Sequence, residues 1–474
     1  MSKRVVVLSL IVLLVAAFVP LAAQAQSATG QTWSTSITYY TPSDTGGDLT
    51  IAYYPEGSGT PVYADPITLE PHKAGSLFIG NVTGVGSTFA GAAVLEATVP
   101  VIATAVNIAQ TGPDTNYARP LYDGFDIAQA SNNFFIPTVL YQKFGYTTTA
   151  IGIQNVETSQ IQATLKVYAL GSSTPAFQQT YTIPANSAKV VTAADMASSL
   201  GANFSGSAVI EATGKVVASA QETADSGRAA KAFEGVASDA GDTTIYMASM
   251  MCRAYGSQQQ TSYYAIQNVG SAQATVQIKF YDKNGNLLYT ATGLTIDQGL
   301  KISQNPCNFV SSAPALEGAV GSAVIESTNG VPLIAMGKVK GSSLTETAFV
   351  GQSGGAKKVA AAYIRWKADA TAGERSYVAI MNVGGAATTY VKVRYYNTAG
   401  LVKEVDLGAV NPFIKANTNA STAGATDASG DFGVNPYGGA IEVEADQDVI
   451  VVVRVQKTVG SDVLAEDYNG VAVP

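Results

Sequence analysis

The chain has 474 residues, of which 13% are charged, with a formal net charge of −8 and two cysteines. An acidic chain without a basic cluster has nothing to hold a phosphate backbone or an anionic membrane surface, which excludes nucleic acid as a partner. The single histidine, His72, rules out histidine-rich zinc centres and leaves any Ser-His-Asp or Cys-His arrangement dependent on one imidazole.

At the N-terminus Lys3 and Arg4 precede an apolar run from Val5 to Ala23, and Ala23-Gln24-Ala25 has the form of a cleavage site. The pattern predicts a secretory signal peptide over 1–25, outside the fold. It also predicts a secreted, extracellular or cell-surface-associated chain with no membrane span once mature. Losing Lys3 and Arg4 takes the net charge to about −10, which suits solubility.

The rest of the chain repeats itself. GAAVLEAT (Gly91 to Thr98), GSAVIEAT (Gly206 to Thr213), GSAVIEST (Gly321 to Thr328) and GAIEVEAD (Gly439 to Asp446) place Glu96, Glu211, Glu326 and Glu444 at steps of 115, 115 and 118 residues. Such regular steps mean tandem copies of one unit. IQNV, IQNV and IMNV place Asn155, Asn268 and Asn382 at steps of 113 and 114, while the first unit has DLTIAYY there and lacks the asparagine. Alternating strands follow and carry Tyr54, Tyr168, Tyr281 and Tyr396 at or near their ends. Next come the turns PEGSG, GSST, DKNGN and NTAG between alternating runs, the signature of hairpins.

The period divides the chain into units at 26–133, 134–243, 244–357 and 358–474, each of about 112 residues. In the third, strands are predicted near Thr244–Met250, Ser262–Val269, Ala274–Tyr281, Leu287–Thr290, Gly299–Ser303, Gly321–Ser327, Leu333–Val339 and Glu346–Val350. Asn308–Leu316, like Ala193–Leu200 one unit earlier, reads as a short helical or irregular crossover. Seven or eight short strands punctuated by Gly, Pro and Asn predict an all-β, antiparallel sandwich. The boundaries are short and polar, so neighbouring units are expected to touch and form a semi-rigid rod. Cys252 and Cys307 fall within one unit of an exported chain and are expected to form a disulfide closing 55 residues.

The order of an opening strand, x-I-Q-N-V, an alternating strand with a late tyrosine and a G-S-A-V-I-E strand resembles tandem immunoglobulin-like β-sandwich repeats of secreted and cell-surface bacterial proteins. The resemblance spans the mature chain, with the first unit the most diverged. The immunoglobulin Cys…Trp…Cys signature is missing, so only the sandwich class carries over. Repeats of this kind serve as stalks, adhesins, lattice subunits and accessory modules, and the fold does not choose among them.

Strand parity in GAIEVEAD turns Ile441 and Val443 to the core and Glu442 and Glu444 outward, and by register Glu96, Glu211 and Glu326 outward as well. Those glutamates read as cross-strand partners of Lys or Thr rather than as a recurring cation site. The three asparagines read as turn residues suited to left-handed or turn geometry. The four tyrosines read as caps on the sandwich cores with wet hydroxyls, or as a sugar-stacking face supported by Tyr39-Tyr40 and Tyr263-Tyr264. Asp282-Lys283-Asn284-Gly285-Asn286 lacks the further oxygens of a calcium loop and reads as a hairpin turn, so no cofactor is expected, calcium being the one alternative the acidic pattern leaves open. His72, in Glu70-Pro71-His72-Lys73, aligns with Ile183-Pro184-Ala185-Asn186 as a turn before a strand.

The expected function is a non-catalytic stalk, matrix or surface-lattice component that self-associates through sheet edges or binds other surface proteins. The alternative is a carbohydrate- or host-binding adhesion module using exposed tyrosines. An enzyme built on a carboxylate pair ranks third, because no insertion breaks the repeat.

Overall fold

The computed structural model describes residues 11–15, 33–85, 89–109, 119–143, 147–224, 229–342, 345–367, 373–419 and 437–474. The third unit shows the plan. Its eight strands are Thr244–Met251, Thr261–Asn268, Ala274–Asp282, Leu287–Ile296, Lys301–Gln304, Val320–Ser327, Leu333–Lys340 and Glu346–Val350. They form two antiparallel sheets, ordered fourth-third-sixth-first (sheet I) and fifth-second-seventh-eighth (sheet II). The same pairing recurs in the other three stretches of chain. Where Pro100 and Pro332 fall between the sixth and seventh strands, the missing N–H separates them into Gly91–Ala97 and Ile102–Ala109, and Val320–Ser327 and Leu333–Lys340. Without a proline, the pair runs on as one long strand, Phe204–Ala224 or Tyr437–Val459, shared by both sheets.

The crossover before the sixth strand is an α-helix in the second unit, Ala193–Leu200, whose Thr192 N–H donates to Asp195 Oδ2 at 2.8 Å. In the third unit it is two 3₁₀ turns, Pro306–Phe309 and Pro314–Leu316, and Cys252–Cys307 is a disulfide tying the end of the first strand to that crossover.

Two repeated sequence features have local causes. A Cβ added at Gly91, Gly206 or Gly321 would lie 2.0, 1.9 or 2.0 Å from the carbonyl oxygen of Tyr54, Tyr168 or Tyr281, so the close approach of the third strand admits only glycine. Asn268 ends the second strand fully buried. Its Nδ2 donates to the carbonyls of Ala272 (2.7 Å) and Ile296 (2.8 Å), and its Oδ1 accepts from the Gly270 N–H at 2.8 Å. Asn155 and Asn382 make the equivalent bonds. None of the three has a positive φ, contrary to the left-handed expectation. The side chain itself closes the turn, so the backbone can stay extended.

The left-handed position lies instead in the turn before the fifth strand, at His72 (φ 51°), Asn186 (56°), Gly299 (73°) and Phe413 (65°). Their N–H groups donate to the carbonyls of Thr41, Glu157, Asn268 and Asn382. His72 therefore corresponds to Asn186, one residue away from the alignment on proline.

The four units do not make a rod. Sheet I of each packs on sheet II of the next, and the fourth unit returns to the first, its opening strand lying against Trp33–Tyr40 and Ile102–Ala109. At the centre the eighth strands Leu121–Asp123, Ala230–Glu234, Glu346–Val350 and Asp462–Asn469 touch in cyclic order. Each carries a fully buried ring (Tyr122, Phe233, Phe349, Tyr468) followed two residues later by a glycine. The N–H groups of Gly124, Gly235, Gly351 and Gly470 donate to Ala103, Ala218, Ala335 and Val451 at 2.7–2.8 Å. A ring of stacked sheets leaves both faces of the inner strands covered. That is why seventh strands such as VIVVVRV read as continuous apolar runs rather than alternating ones.

The first unit takes its opening strand from inside the predicted leader. Ile11–Val15 pairs antiparallel with Gly91–Ala97, so this part of 1–25 belongs to the sheet rather than lying outside the fold.

Ring closure is directly measurable. Small-angle scattering of the protein should give a radius of gyration of about 22 Å, against roughly 40 Å for four sandwiches end to end. Gly321→Ala should lower unfolding stability in urea by about 2–3 kcal/mol through the clash with Tyr281. Gly354→Ala, where nothing lies within 4 Å of the added carbon, should be neutral.

Candidate functional site

The four junctions share one device. The tyrosine at or near the end of each third strand lies against the following unit. The Tyr54 hydroxyl hydrogen-bonds Asn186, and Tyr168 packs on the core of the third unit. Tyr281 stacks on Phe413 with centroids 4.9 Å apart, and Tyr396 stacks on His72 at 5.7 Å and 16°. Tyr281 and Tyr396 are buried, Tyr54 and Tyr168 half-buried. The expectation of core caps with wet hydroxyls is therefore corrected: all four join units, because the sheet face that bears each is covered by the next unit, and of the four Tyr396 also borders an open cleft.

The junction between the fourth and first units opens into a cleft of about 910 Å³. Its aromatic side is Tyr396 and His72, backed by the buried Tyr40 (5.2 Å from Tyr396); His72 Nδ1 faces the Tyr40 hydroxyl at 3.3 Å and its Nε2 pairs with Asp44 at 2.7 Å. Burial first, then Tyr396 and Glu442, pushes the Tyr40 hydroxyl far above the usual phenol range. The floor comes from Tyr437–Val459. Arg394 extends across it, donating to Glu404 (2.8 Å), Glu444 (2.7 Å) and Glu442 Oε1 (3.3 Å). Its hydrogen bonds hold the carboxyls of Glu404 and Glu444 below the usual range.

Glu442 is the residue that strand parity misplaced. It points away from its own core, but the ring covers that face too, and its exposure is 2%. Its Oε2 has no hydrogen-bond donor, and Lys358 Nζ approaches only to 3.8 Å. Lys73, Lys357, Lys358 and Tyr390 complete the wall. The cleft thus presents cationic and tyrosine donors, carboxylate acceptors and aromatic faces. A smaller cavity of about 410 Å³ lies at the junction of the third and fourth units, beside Tyr255, Lys415 and Arg454.

The other sequence-nominated residues do not converge. Glu211 pairs with Lys166 at 2.7 Å and Glu326 with Lys279 at 2.8 Å, while Glu444 belongs to the Arg394 cluster. Glu96 is exposed opposite Thr50. Among the described residues no group of three His, Cys, Asp or Glu side chains could hold a metal ion. The Asp282 carboxylate is occupied by the N–H groups of Asn284 and Asn286 and the Asn286 amide. No described helix is long and apolar enough to cross a membrane.

A second concentration of titratable groups lies where the eighth strands meet. Burial, reinforced by neighbouring Glu234, pushes the Asp123 carboxyl well up. Burial likewise raises Glu234 to about 7 and Glu466 to about 8. Glu234 accepts from the Asp123 N–H, and Glu466 from the Arg119 N–H. This cluster went unread, although the aromatic-x-glycine pattern at steps of 111, 116 and 119 residues was available.

Comparison with the models of known protein families and with curated proteins finds no match for the chain.

The axial carboxyls predict a pH dependence. Each binds its proton more tightly folded than unfolded. Their contribution is therefore complete below the ordinary carboxylate range and is lost as pH rises toward 8. Urea unfolding of the protein should show falling stability between about pH 5 and pH 8, and Glu466→Gln should flatten that slope without lowering stability at pH 8.

Proposed function

We propose that the protein is a non-catalytic, exported binding protein that holds a carbohydrate in the cleft between its fourth and first units. The carrying observation is Glu442, a buried carboxylate in the lining of the cleft whose Oε2 has no hydrogen-bond donor. A buried acceptor left open favours a ligand that donates. An ammonium ligand would be repelled by Lys73, Lys357, Lys358 and Arg394, and a carboxylate ligand by Glu442, Glu444 and Asp446. A neutral polyol supplies hydroxyl donors to the carboxylates and acceptors to the cations, and its apolar ring face suits Tyr396, Tyr390 and His72. The volume accommodates a short oligosaccharide.

Export rests on the leader pattern, and the Cys252–Cys307 disulfide suits an oxidising compartment. An immunoglobulin-like reading of the units is supported by the pairing of the third strand with the sixth and the second with the fifth, as C–F and B–E pair in that class. The first and seventh strands take each other's edges relative to that class. A structural role at the cell surface is the second reading. It is favoured by how many repeat-defining side chains serve junctions rather than a site.

Titration calorimetry against neutral, amino- and carboxy-sugars should find a neutral oligosaccharide that binds. Glu442→Gln should weaken it at least tenfold, about 1.4 kcal/mol. Binding of no saccharide at millimolar concentration, or an affinity untouched by Glu442→Gln and Tyr396→Ala, would overturn this reading in favour of the structural one.

A further inference from the structure

We propose that the mature first unit is an incomplete sandwich that accepts an apolar β-strand from a partner polypeptide. The inference rests on the reading of 1–25 as a cleaved leader, and goes beyond the sugar cleft, which it does not involve. In all four units the first strand pairs with the sixth in one register. The residues opposite the repeat glutamates Glu96, Glu211, Glu326 and Glu444 are Val12, Asn133, Thr244 and Lys358. The strand Ile11–Val15 also meets Phe125–Asp126 on its other edge, as the first strands of the second and fourth units meet Val236–Ala237 and Val471–Ala472. The slot between Gly91–Ala97 and Phe125–Asp126 is therefore a defined strand position, filled here by the apolar sequence IVLLV.

Cleavage after Ala25 removes that strand and leaves Gln26 to Thr32, QSATGQT, ahead of Trp33. Seven residues reach at most about 25 Å. Filling five positions takes about 17 Å, and crossing to the other sheet a further 10 Å or so. The other units use 16, 17 and 18 residues from the start of the first strand to the start of the second. The stretch is too short for the slot, and its chemistry is wrong. Opposite residues 95 and 93 the other units place Phe134 and Ile136, Ile245 and Met247, and Val359 and Ala361, all buried. Position 14 corresponds to Phe135, Tyr246 and Ala360, of which Phe135 packs with Ile334 and Ala360 with Ile102 of the neighbouring unit. The donor is thus a strand apolar on both faces, at least four residues long, running antiparallel to Gly91–Ala97. Its main chain would satisfy the two open edges, the mode by which sheets recruit partner strands.

The test uses residues 26–474 and a labelled peptide of residues 9–17, SLIVLLVAA, flanked by lysines. Without peptide, the amides of Gly91–Ala97 should exchange at least about tenfold faster than in the full chain, while those of Phe204–Ala224 are unchanged. The peptide should bind saturably, one per chain, and restore protection; a Leu13→Pro peptide should not. Full protection of Gly91–Ala97 in the mature chain without peptide overturns the proposal, as does failure to bind. Should 26–474 not fold, the full chain with a protease site between Ala25 and Gln26 is cut after folding. Release of the leader strand and its replacement by labelled peptide then supports the slot, and its retention against excess peptide overturns it. Mass spectrometry of the exported protein tests the leader separately: an N-terminus at Met1 shows that the slot is closed within the chain.

Discussion

The contact on which the molecule depends is the stacking of one unit's sheet on the opposite sheet of the next, repeated until the chain meets its own beginning. At each junction a third-strand tyrosine meets the following unit, at three of them on its left-handed turn residue: Asn186, Phe413 and His72. A linear array would leave one apolar sheet face bare at each end and would need polar terminal units. Closure removes both ends, so all four units can keep the same apolar surfaces. It also explains why charges that a lone sandwich would expose are buried in pairs, as with Lys231 between Glu222 and Glu346 across the second junction.

With equivalent backbones at every junction, side chains decide what each one does. The first junction carries Lys189 paired with Glu56 at 2.7 Å, and the third carries Tyr281 on Phe413 with the Ser322 hydroxyl bonded to the Phe413 carbonyl. The fourth has Arg394, three carboxylates and His72 at the same place and does not fill the space between them. The candidate site is therefore a junction whose side chains fall short of close packing, and its chemistry comes from partners brought together across some 370 residues of chain.

The first unit differs from the others in where its opening strand comes from. A sandwich with both sheets complete needs eight strands, and this one finds the first of them in residues that also read as an export signal. The leader pattern and the completion of the fold therefore draw on the same segment, and removing it would expose two strand edges.

Much of a single unit was legible in the chain itself. The period, the all-β class, the hairpin turns and the Cys252–Cys307 pairing follow from local pattern, because strands, turns and glycines at close approaches are set by neighbours within one unit. Gly321 repeats because a carbonyl lies within reach of its missing side chain, and Asn268 because two carbonyls converge on its amide. The ring was not legible. Parity sent Glu442 to solvent, the tyrosines had two readings and His72 was only a turn, since period-two alternation records which side of a strand faces its own core and nothing about what covers the other side. What covers it is a surface more than a hundred residues away in sequence, or at the closing junction almost the whole chain away. Only the three-dimensional packing of complete units decides whether such surfaces meet.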